Sequence, residues 1–190
     1  MTADNIKQIC VVGAGTMGSQ IAQQCALHGY QVNLTDVDEA LLERAVASNR
    51  ALLQNRVTKG RLTQEDADAA WQRVRPVKTL EDAAGQADFV IEAVFENLEV
   101  KQDLFSRLDK LCPPLTILAS NSSSIVISKI AAVIDQSSSY FTLARMGLKP
   151  VINRLISQWK LASRSTGIPK PPATSSEIKP CTILRRLRMA

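Results

Sequence analysis

The sequence has 190 residues, of which 45% are hydrophobic and 4% aromatic, and this predicts one domain of ordinary size with a core and a tail. No run approaches the roughly eighteen consecutive apolar residues of a membrane-spanning helix, and the first residues, MTADNIKQ, lack the basic and apolar regions of a secretion signal. We therefore expect a cytoplasmic chain without a membrane partner.

The cysteines indicate a reducing compartment. The four of them form no C-x-x-C pair of the kind that binds zinc or carries out redox chemistry. Cys10 and Cys25 fall where a strand and a helix are expected to face the core. This usage predicts small buried thiols, with neither a disulfide framework nor a metal site.

The net charge of +5 is unevenly distributed. Residues 1–136 contain 13 Lys and Arg against 17 Asp and Glu, whereas residues 137–190 contain 10 Lys and Arg against one acidic residue. The basic character therefore belongs to the C-terminal segment. We predict a globular domain over 5–136 and a basic, divergent tail over 137–190.

The first recognisable unit is a short apolar strand followed by a glycine-rich turn. Strand residues 9–12 lead into the pattern G-x-G-x-x-G, formed by Gly13, Gly15 and Gly18. In dinucleotide-binding folds, the first glycine permits the tight turn, the second admits the pyrophosphate and the third allows helix and strand to pack closely. Six loop residues are predicted to bind the cofactor: Gly13, Ala14, Gly15, Thr16, Met17 and Gly18.

The next helix is expected to face the sheet with Met17, Ile21 and Cys25, which are spaced four residues apart. A second strand over 31–35 ends at Asp36. A carboxylate at this position accepts hydrogen bonds from the adenosine ribose hydroxyls and repels a 2′-phosphate. The whole succession predicts a dinucleotide site and favours NAD over NADP.

Two helices follow where a minimal doubly wound unit needs one. They are expected to begin at the N-caps Asp38 and Thr63 and to run to about 57 and 73. We interpret the pair as an inserted helical hairpin that projects from the sheet. Three cations cluster near its tip: Arg56, Lys59 and Arg61. The cluster is explained either as a solvated face or as a contact for a phosphorylated ligand.

The remainder of the first 136 residues alternates between strands and helices. Strands are predicted over 74–78, 88–94 and 115–119, and helices over 79–86, 98–111 and 125–134. The helix over 98–111 is expected to bury one apolar face, formed by Val100, Leu104, Phe105, Leu108 and Leu111. This alternation predicts an α/β fold, a Rossmann-type doubly wound parallel sheet with helices on both faces.

Ligands of such sheets bind beyond the carboxyl ends of the strands. Four sets of residues that suit a ligand fall there: Gly13–Gly18, Asp36, Glu96 and Ser120–Ser124. We therefore expect the functional site at this edge of the sheet.

Four segments of the chain resemble the NAD-binding domain of L-3-hydroxyacyl-CoA dehydrogenase, particularly in the bacterial 3-hydroxybutyryl-CoA dehydrogenases. They are VVGAGTMGSQIAQ, KGRLTQEDAD, FVIEAVFENLEVKQDLF and ILASNSSS. The resemblance covers about residues 5–134 and is specific, because the last two segments are far narrower signals than the glycine loop. It implies NAD as cofactor and an acyl-CoA as substrate, whose 3-hydroxyl group is oxidised to a ketone.

The resemblance also implies roles for individual residues. Glu96 and Lys101 would lie against the nicotinamide end of NAD, and Asn121 would hold its loop beside the nicotinamide. Ser123 matches the family's active-site serine, which contacts the substrate's hydroxyl or carbonyl oxygen, and Lys59 would contact the coenzyme A part. Without the resemblance, the serine turn is equally explained as a helix cap and Lys101 as a solvated helix residue.

The resemblance stops before the family's catalytic histidine. The motif His-Phe-Phe-Asn-Pro is expected after Ser123, but the chain has YFTLARMGLKP in that region. The one histidine, His28, is better explained as a helix-end residue than as a base. The tail does not match the family's C-terminal helical domain, with its acyl pocket and dimer interface, and is predicted to be irregular or disordered.

Three functions are compatible with these observations. We favour the NAD-binding part of a 3-hydroxyacyl-CoA dehydrogenase of fatty-acid or related acyl-CoA degradation, inactive as this chain alone. The alternative is a truncated or frameshifted dinucleotide-binding module without catalysis. The least favoured is an interaction protein whose tail binds nucleic acid or an anionic membrane; we expect neither partner, because the tail lacks interleaved aromatic residues.

Overall fold

The computed structural model describes residues 6–122 and 124–134, and the backbone of residues 182–185. These ranges contain the strands β1 (Gln8–Val12), β2 (Gln31–Thr35), β3 (Val74–Pro76), β4 (Phe89–Glu92), β5 (Ile117–Ser120) and β6 (Thr182–Arg185). They contain the helices α1 (Thr16–Leu27), α2 (Glu39–Thr58), α3 (Gln64–Arg73), α4 (Leu80–Ala84), α5 (Leu98–Leu111) and α6 (Ile127–Ala131). None of these helices is long and apolar enough to cross a membrane.

The strands form one sheet in the order β3-β2-β1-β4-β5-β6, and the first five are parallel. The chain winds outward from β1 in both directions, so the predicted doubly wound α/β fold is confirmed. Val12 pairs with Thr35 of β2 and with Glu92 of β4, and Glu92 pairs in turn with Ser120 of β5. The loops after these four strands therefore open on one side of the sheet, which we call the carboxyl edge.

The sixth strand departs from the prediction for the tail. Thr182–Arg185 pairs antiparallel with Ile117–Ser120 along the edge of β5. The prediction of an irregular tail is wrong for this segment, because its hydrogen-bond partners come from a sheet edge that the local sequence does not reveal. The rest of the tail lies outside the described residues.

Helices cover both faces of the sheet because successive strand residues point to opposite sides. Ile9 and Val11 of β1 belong to the core that α1, α2 and α3 cover. Cys10 and Val12 belong to the core under α4, α5 and α6. Cys25 is also buried, and none of the described cysteines forms a disulfide. The predicted role of Cys10 and Cys25 as small core residues is confirmed.

The predicted hairpin is formed by α2 and α3. Asp38 and Thr63 cap these helices as predicted, because their side chains accept hydrogen bonds from first-turn N–H groups. Along the hairpin, Leu42, Leu53 and Ala70 join the same core as α1 and β1. At the tip, residues 58–61 are all exposed. The predicted helical hairpin is therefore present, with one face packed on the core and an exposed tip.

The rotation of α1 also differs from the prediction. Met17 is 38% exposed, and the buried apolar face consists of small residues, Gly18, Ala22, Cys25 and Ala26. Gly18 decides the rotation, because a Cβ there would lie 1.8 Å from the carbonyl oxygen of Gly13. Each helical residue is turned by about 100° from the preceding one, so placing Gly18 inward places Met17 outward.

Candidate functional site

The glycine loop is tight at its first and third glycines and open at its second. Gly13 adopts a φ of +105°, and a Cβ there would lie 2.5 Å from the carbonyl oxygen of Ala93. Gly18 is equally restricted by the Gly13 carbonyl group. At Gly15, by contrast, a Cβ would meet nothing within 4 Å. The loop therefore leaves room at Gly15 for a ligand to approach the backbone.

Helix α1 begins beside this opening. Its N-cap, Gly15, makes no side-chain hydrogen bond to the helix, and the first turn contains no acidic residue. The first N–H groups of a helix lack partners within the helix and carry a partial positive charge. The opening is thus suited to an anion such as a pyrophosphate group.

Asp36 connects the glycine loop with the end of β2. The N–H of Ala14 donates to Asp36 Oδ2 at 2.6 Å, and the N–H of Asp38 donates to Oδ1 at 3.0 Å. The N–H of Gly13 donates to the carbonyl oxygen of Thr35 at 2.8 Å. Each carboxylate oxygen can accept more than one hydrogen bond, so Asp36 retains capacity for the hydroxyl groups of a ligand.

On the other side of β1, a buried ion pair lies at the end of β4. Lys101 Nζ is 2.6 Å from Glu92 Oε1, and the two side chains are 1% and 0% exposed. The ammonium group also donates to the carbonyl oxygen of Val94 and lies 3.1 Å from Glu96 Oε2. The explanation of Lys101 as a solvated residue is therefore wrong. Its neighbour Val100, expected to be buried, is 48% exposed because α5 turns Lys101 toward the two carboxylates.

Glu96, in the turn after β4, is bound by the serine turn that follows β5. It accepts hydrogen bonds from the hydroxyls of Ser122 and Ser124 and from the N–H groups of Ser124 and Ile125. Partial burial by itself would raise the pKa of Glu96, but the bonds from Ser122, Ser124 and Lys101 outweigh this and lower it to about 2. The side chain remains 37% exposed. The carboxyl edge therefore presents a negative charge here at any physiological pH.

Helix α6 begins shortly after the serine turn. The N-cap of that helix is Val126, and it makes no side-chain hydrogen bond to the helix. Asn121 lies directly after β5, and its N–H donates to the carbonyl oxygen of Glu92 at 2.8 Å. Ser123, the residue matched to the family's active-site serine, lies outside the described residues.

Two other candidates lie away from this edge. Helix α2 begins beside Asp36 and has 20 residues, so its C-cap Lys59 is about 30 Å from that end. His28 is the C-cap of α1, whose 12 residues separate it from the glycine loop by about 18 Å. At the hairpin tip, burial and the neighbouring charge of Arg61 lower the pKa of Arg56. The tip of the hairpin therefore brings positively charged side chains together, and it is distant from the glycine loop.

A groove of about 730 Å³ runs along α2 and is separate from the carboxyl-edge site. Leu42, Val46, Trp71 and Lys78 are among its lining residues, and the Arg50 guanidinium lies 5.5 Å from the centroid of the Trp71 ring. None of the lining residues comes from the glycine loop, from Asp36 or from the turn after β4. The groove is therefore not part of the dinucleotide site.

Sequence reasoning missed Glu92, the carboxylate at the centre of the buried network. A signal for it exists in the segment FVIEAV, where Glu92 is the one charged residue in an otherwise apolar run. A buried charge requires a partner. Lys101 follows nine residues later, so a search for that partner would have begun with the next helix.

Known proteins match the part of the chain that builds this site. The profile of the 3-hydroxyacyl-CoA dehydrogenase NAD-binding domain matches residues 8–144. The 3-hydroxyadipyl-CoA dehydrogenase of Escherichia coli K12 is 46% identical over 130 residues, which cover 68% of this chain and 27% of that protein. The probable 3-hydroxybutyryl-CoA dehydrogenase of Bacillus subtilis 168 is 41% identical over 147 residues, which cover 77% of this chain and 51% of that protein.

The same similarity is present in three dimensions. The crystal structure of 3-hydroxybutyryl-CoA dehydrogenase from Escherichia coli K12 superposes with a TM-score of 0.67 at 46% identity, over 69% of this chain and 28% of that chain. The chain thus spans between 27% and 51% of the length of these relatives. The family match covers well over half of the sequence, and the cofactor of the matched domain is NAD. The chain therefore belongs to the 3-hydroxyacyl-CoA dehydrogenase family, whose NAD-binding domain it contains.

Proposed function

We propose that the chain binds NAD across the carboxyl edge as the cofactor half of a dehydrogenase that oxidises the 3-hydroxyl group of an acyl-CoA to a ketone. One observation carries this proposal: two groups of residues lie on opposite sides of the β1–β4 junction. The glycine loop and Asp36 lie on one side, and Glu96 with its partner Lys101 lies on the other. Dinucleotides bind across the point where the strand order reverses, with one mononucleotide on each side.

The adenosine half of NAD fits the β2 side. The open backbone at Gly15 and the first N–H groups of α1 would receive the pyrophosphate, within a loop formed by Gly13, Ala14, Gly15, Thr16, Met17 and Gly18. Asp36 would accept hydrogen bonds from the ribose hydroxyls with its remaining lone pairs. Its negative charge would repel the 2′-phosphate of NADP.

The nicotinamide half fits the β4 side. NAD, when bound, supplies the hydride acceptor of the oxidation. Glu96 would present its exposed carboxylate to the hydrogen-bond donors of this half, and Asn121 would hold the adjoining loop. Lys101 is almost fully buried, so we propose that it acts on the cofactor by holding Glu96 rather than by direct contact.

The substrate contacts rest on the family relationship. Ser123 would contact the hydroxyl or carbonyl oxygen of the acyl group. Lys59 would meet the coenzyme A phosphates at the hairpin tip, where the nearby Arg56 and Arg61 favour an anion. We place the NAD-binding domain at residues 5–136 and the divergent tail at 137–190. The described cysteines are buried and form no disulfide, which suits a reducing compartment, and we propose the cytoplasm.

A binding experiment tests the cofactor assignment. Fluorescence titration should give a clearly lower Kd for NADH than for NADPH, and Asp36→Ala should weaken NADH binding and narrow the difference. Glu43→Ala, at an exposed position of α2, is the matched control and should change neither Kd. Equal Kd values for the two cofactors in the unmodified chain would contradict the role of Asp36.

A second candidate, a dinucleotide-binding module without catalysis, is favoured by the position of His28. The sequence has one histidine, and it lies at the far end of α1 from the glycine loop. General-base catalysis typically contributes about a hundred- to ten-thousand-fold to rate. We therefore expect this chain to reduce acetoacetyl-CoA with NADH only at background rate, unchanged by Ser123→Ala. Turnover that Ser123→Ala abolishes would instead establish a working catalytic site.

A further inference from the structure

Glu92 is an unusual residue for its place in the fold. It ends β4, a central strand of the sheet, and its side chain is fully buried. Burying a carboxylate is costly unless it is paired and hydrogen-bonded, and an apolar pair of similar size often serves stability equally well. A charged pair at this position is therefore poorly explained by stability alone.

The contacts of Glu92 join three elements. Its Oε1 accepts hydrogen bonds from Lys101 Nζ of α5 at 2.6 Å and from the N–H of Val94, in the turn after β4, at 2.8 Å. Its Oε2 accepts a hydrogen bond from the Ser120 hydroxyl at the end of β5 at 2.5 Å. Both oxygens are occupied, and each bond fixes a different part of the carboxyl edge.

The network reaches the exposed part of the site in one further step on each branch. Ser120 Oγ accepts a hydrogen bond from the N–H of Ser122 at 3.1 Å, which fixes the start of the serine turn. Lys101 Nζ lies 3.1 Å from Glu96 Oε2. The Ser122 hydroxyl donates to Glu96, which closes the two branches into a ring around that carboxylate. Displacing Glu92 would therefore disturb Glu96 from both sides.

We propose that Glu92 is a positioning residue for the nicotinamide side of the cofactor site, holding Lys101 and the serine turn so that Glu96 faces the cofactor. This inference rests on the proposed binding of NAD across the carboxyl edge. Glu92 itself does not reach the cofactor, because it is fully buried. Its effect is transmitted through Lys101 on one branch and through Ser120 on the other.

The first test removes the charge and keeps the shape. Glu92→Gln retains an acceptor for the N–H of Val94 and deprives Lys101 of its closest counter-charge. We expect NADH to bind at least tenfold more weakly. Leu108→Ala is the matched control, because Leu108 is fully buried in the same helix as Lys101. It should lower the unfolding midpoint but keep the Kd for NADH within twofold.

A second variant separates stability from positioning. Glu92→Met combined with Lys101→Met replaces the ion pair by two apolar side chains, which often restores stability. We expect an unfolding midpoint close to that of the unmodified chain but NADH binding as weak as in Glu92→Gln. Recovery of NADH affinity together with stability would overturn the proposal, because Glu92 would then contribute only to folding.

A readout without cofactor distinguishes failure of this inference from failure of the proposed function. An amine-reactive reagent should label Lys101 slowly in the unmodified chain and at least tenfold faster in Glu92→Gln, while the exposed Lys78 labels equally in both. The amide of Ser122 should also exchange hydrogen faster in the variant.

Absence of NADH binding by the unmodified chain would refute the proposed function and, with it, a positioning role toward a cofactor. NADH binding and Lys101 labelling both unchanged in Glu92→Gln would refute the positioning role alone. Should Glu92→Gln fail to fold, Glu92→Asp carries the same test, because it keeps the charge but is too short to reach all three partners.

Discussion

A pair of glycine substitutions separates cofactor binding from folding in the same loop. At Gly15, φ is −63° and ψ is −177°, a conformation that alanine adopts without strain, and a Cβ would meet nothing within 4 Å. We expect Gly15→Ala to change the free energy of unfolding by less than about 1 kcal/mol. The added methyl group would stand where a pyrophosphate approaches the backbone. Losing one hydrogen bond to a charged group costs about 1.5–3 kcal/mol, which corresponds to roughly a 10- to 100-fold higher Kd for NADH.

Gly18→Ala should act in the opposite way, by destabilising the fold first. Its Cβ would lie 1.8 Å from the carbonyl oxygen of Gly13, and real Cβ contacts are essentially never below 3.0 Å. Loop and helix would have to separate by more than about 1 Å, and overpacking of this kind typically costs about 1–3 kcal/mol. The better helix propensity of alanine, about 1 kcal/mol, offsets only part of that cost.

The assay combines urea unfolding with fluorescence titration of NADH for the unmodified chain and both variants. The expected pattern is a normal unfolding midpoint with weak NADH binding for Gly15→Ala, and a lowered midpoint for Gly18→Ala. Unimpaired NADH binding by Gly15→Ala would show that the pyrophosphate does not approach the backbone there. A normal midpoint for Gly18→Ala would show that α1 does not pack against the loop as described.

Three further outcomes follow from the site and the helix caps. Lys101→Met leaves the carboxylate of Glu92 buried without its counter-charge, and urea unfolding should show a loss of about 3–5 kcal/mol. Because the pKa of Glu96 is lowered from 4.5 to about 2, its bonds contribute stability above pH 4.5 that is lost as the pH falls toward 2. Glu96→Gln should make the free energy of unfolding less dependent on pH between 4.5 and 2, which acid unfolding measures. The change should be modest because the carboxylate is partly exposed. An unchanged pH dependence would contradict the depressed pKa. Thr63→Ala removes the cap that accepts from the N–H of Asp66 and should cost about 1 kcal/mol in thermal unfolding without altering the Kd for NADH.

The parts of the molecule that depend on neighbouring residues could be predicted from the sequence. The glycine loop, the acidic residue at the end of β2 and the caps Asp38 and Thr63 each rest on residues only a few positions apart. The bounds expected for the second strand and for the helix over 98–111 match Gln31–Thr35 and Leu98–Leu111. Short-range turn chemistry, capping and hydrophobic periodicity act within these distances, so the sequence alone indicates them.

The tertiary structure decided what depends on distant partners. Periodicity placed Val100 in the core, whereas the fold buries Lys101, because the carboxylates at the end of β4 and in the turn after it face that helix. The pairing of β6 with the edge of β5 likewise depends on a strand more than sixty positions earlier. A local pattern identifies which residues are apolar, but a buried charge or an added strand is stable only beside a particular partner, and that partner is supplied by the assembled sheet.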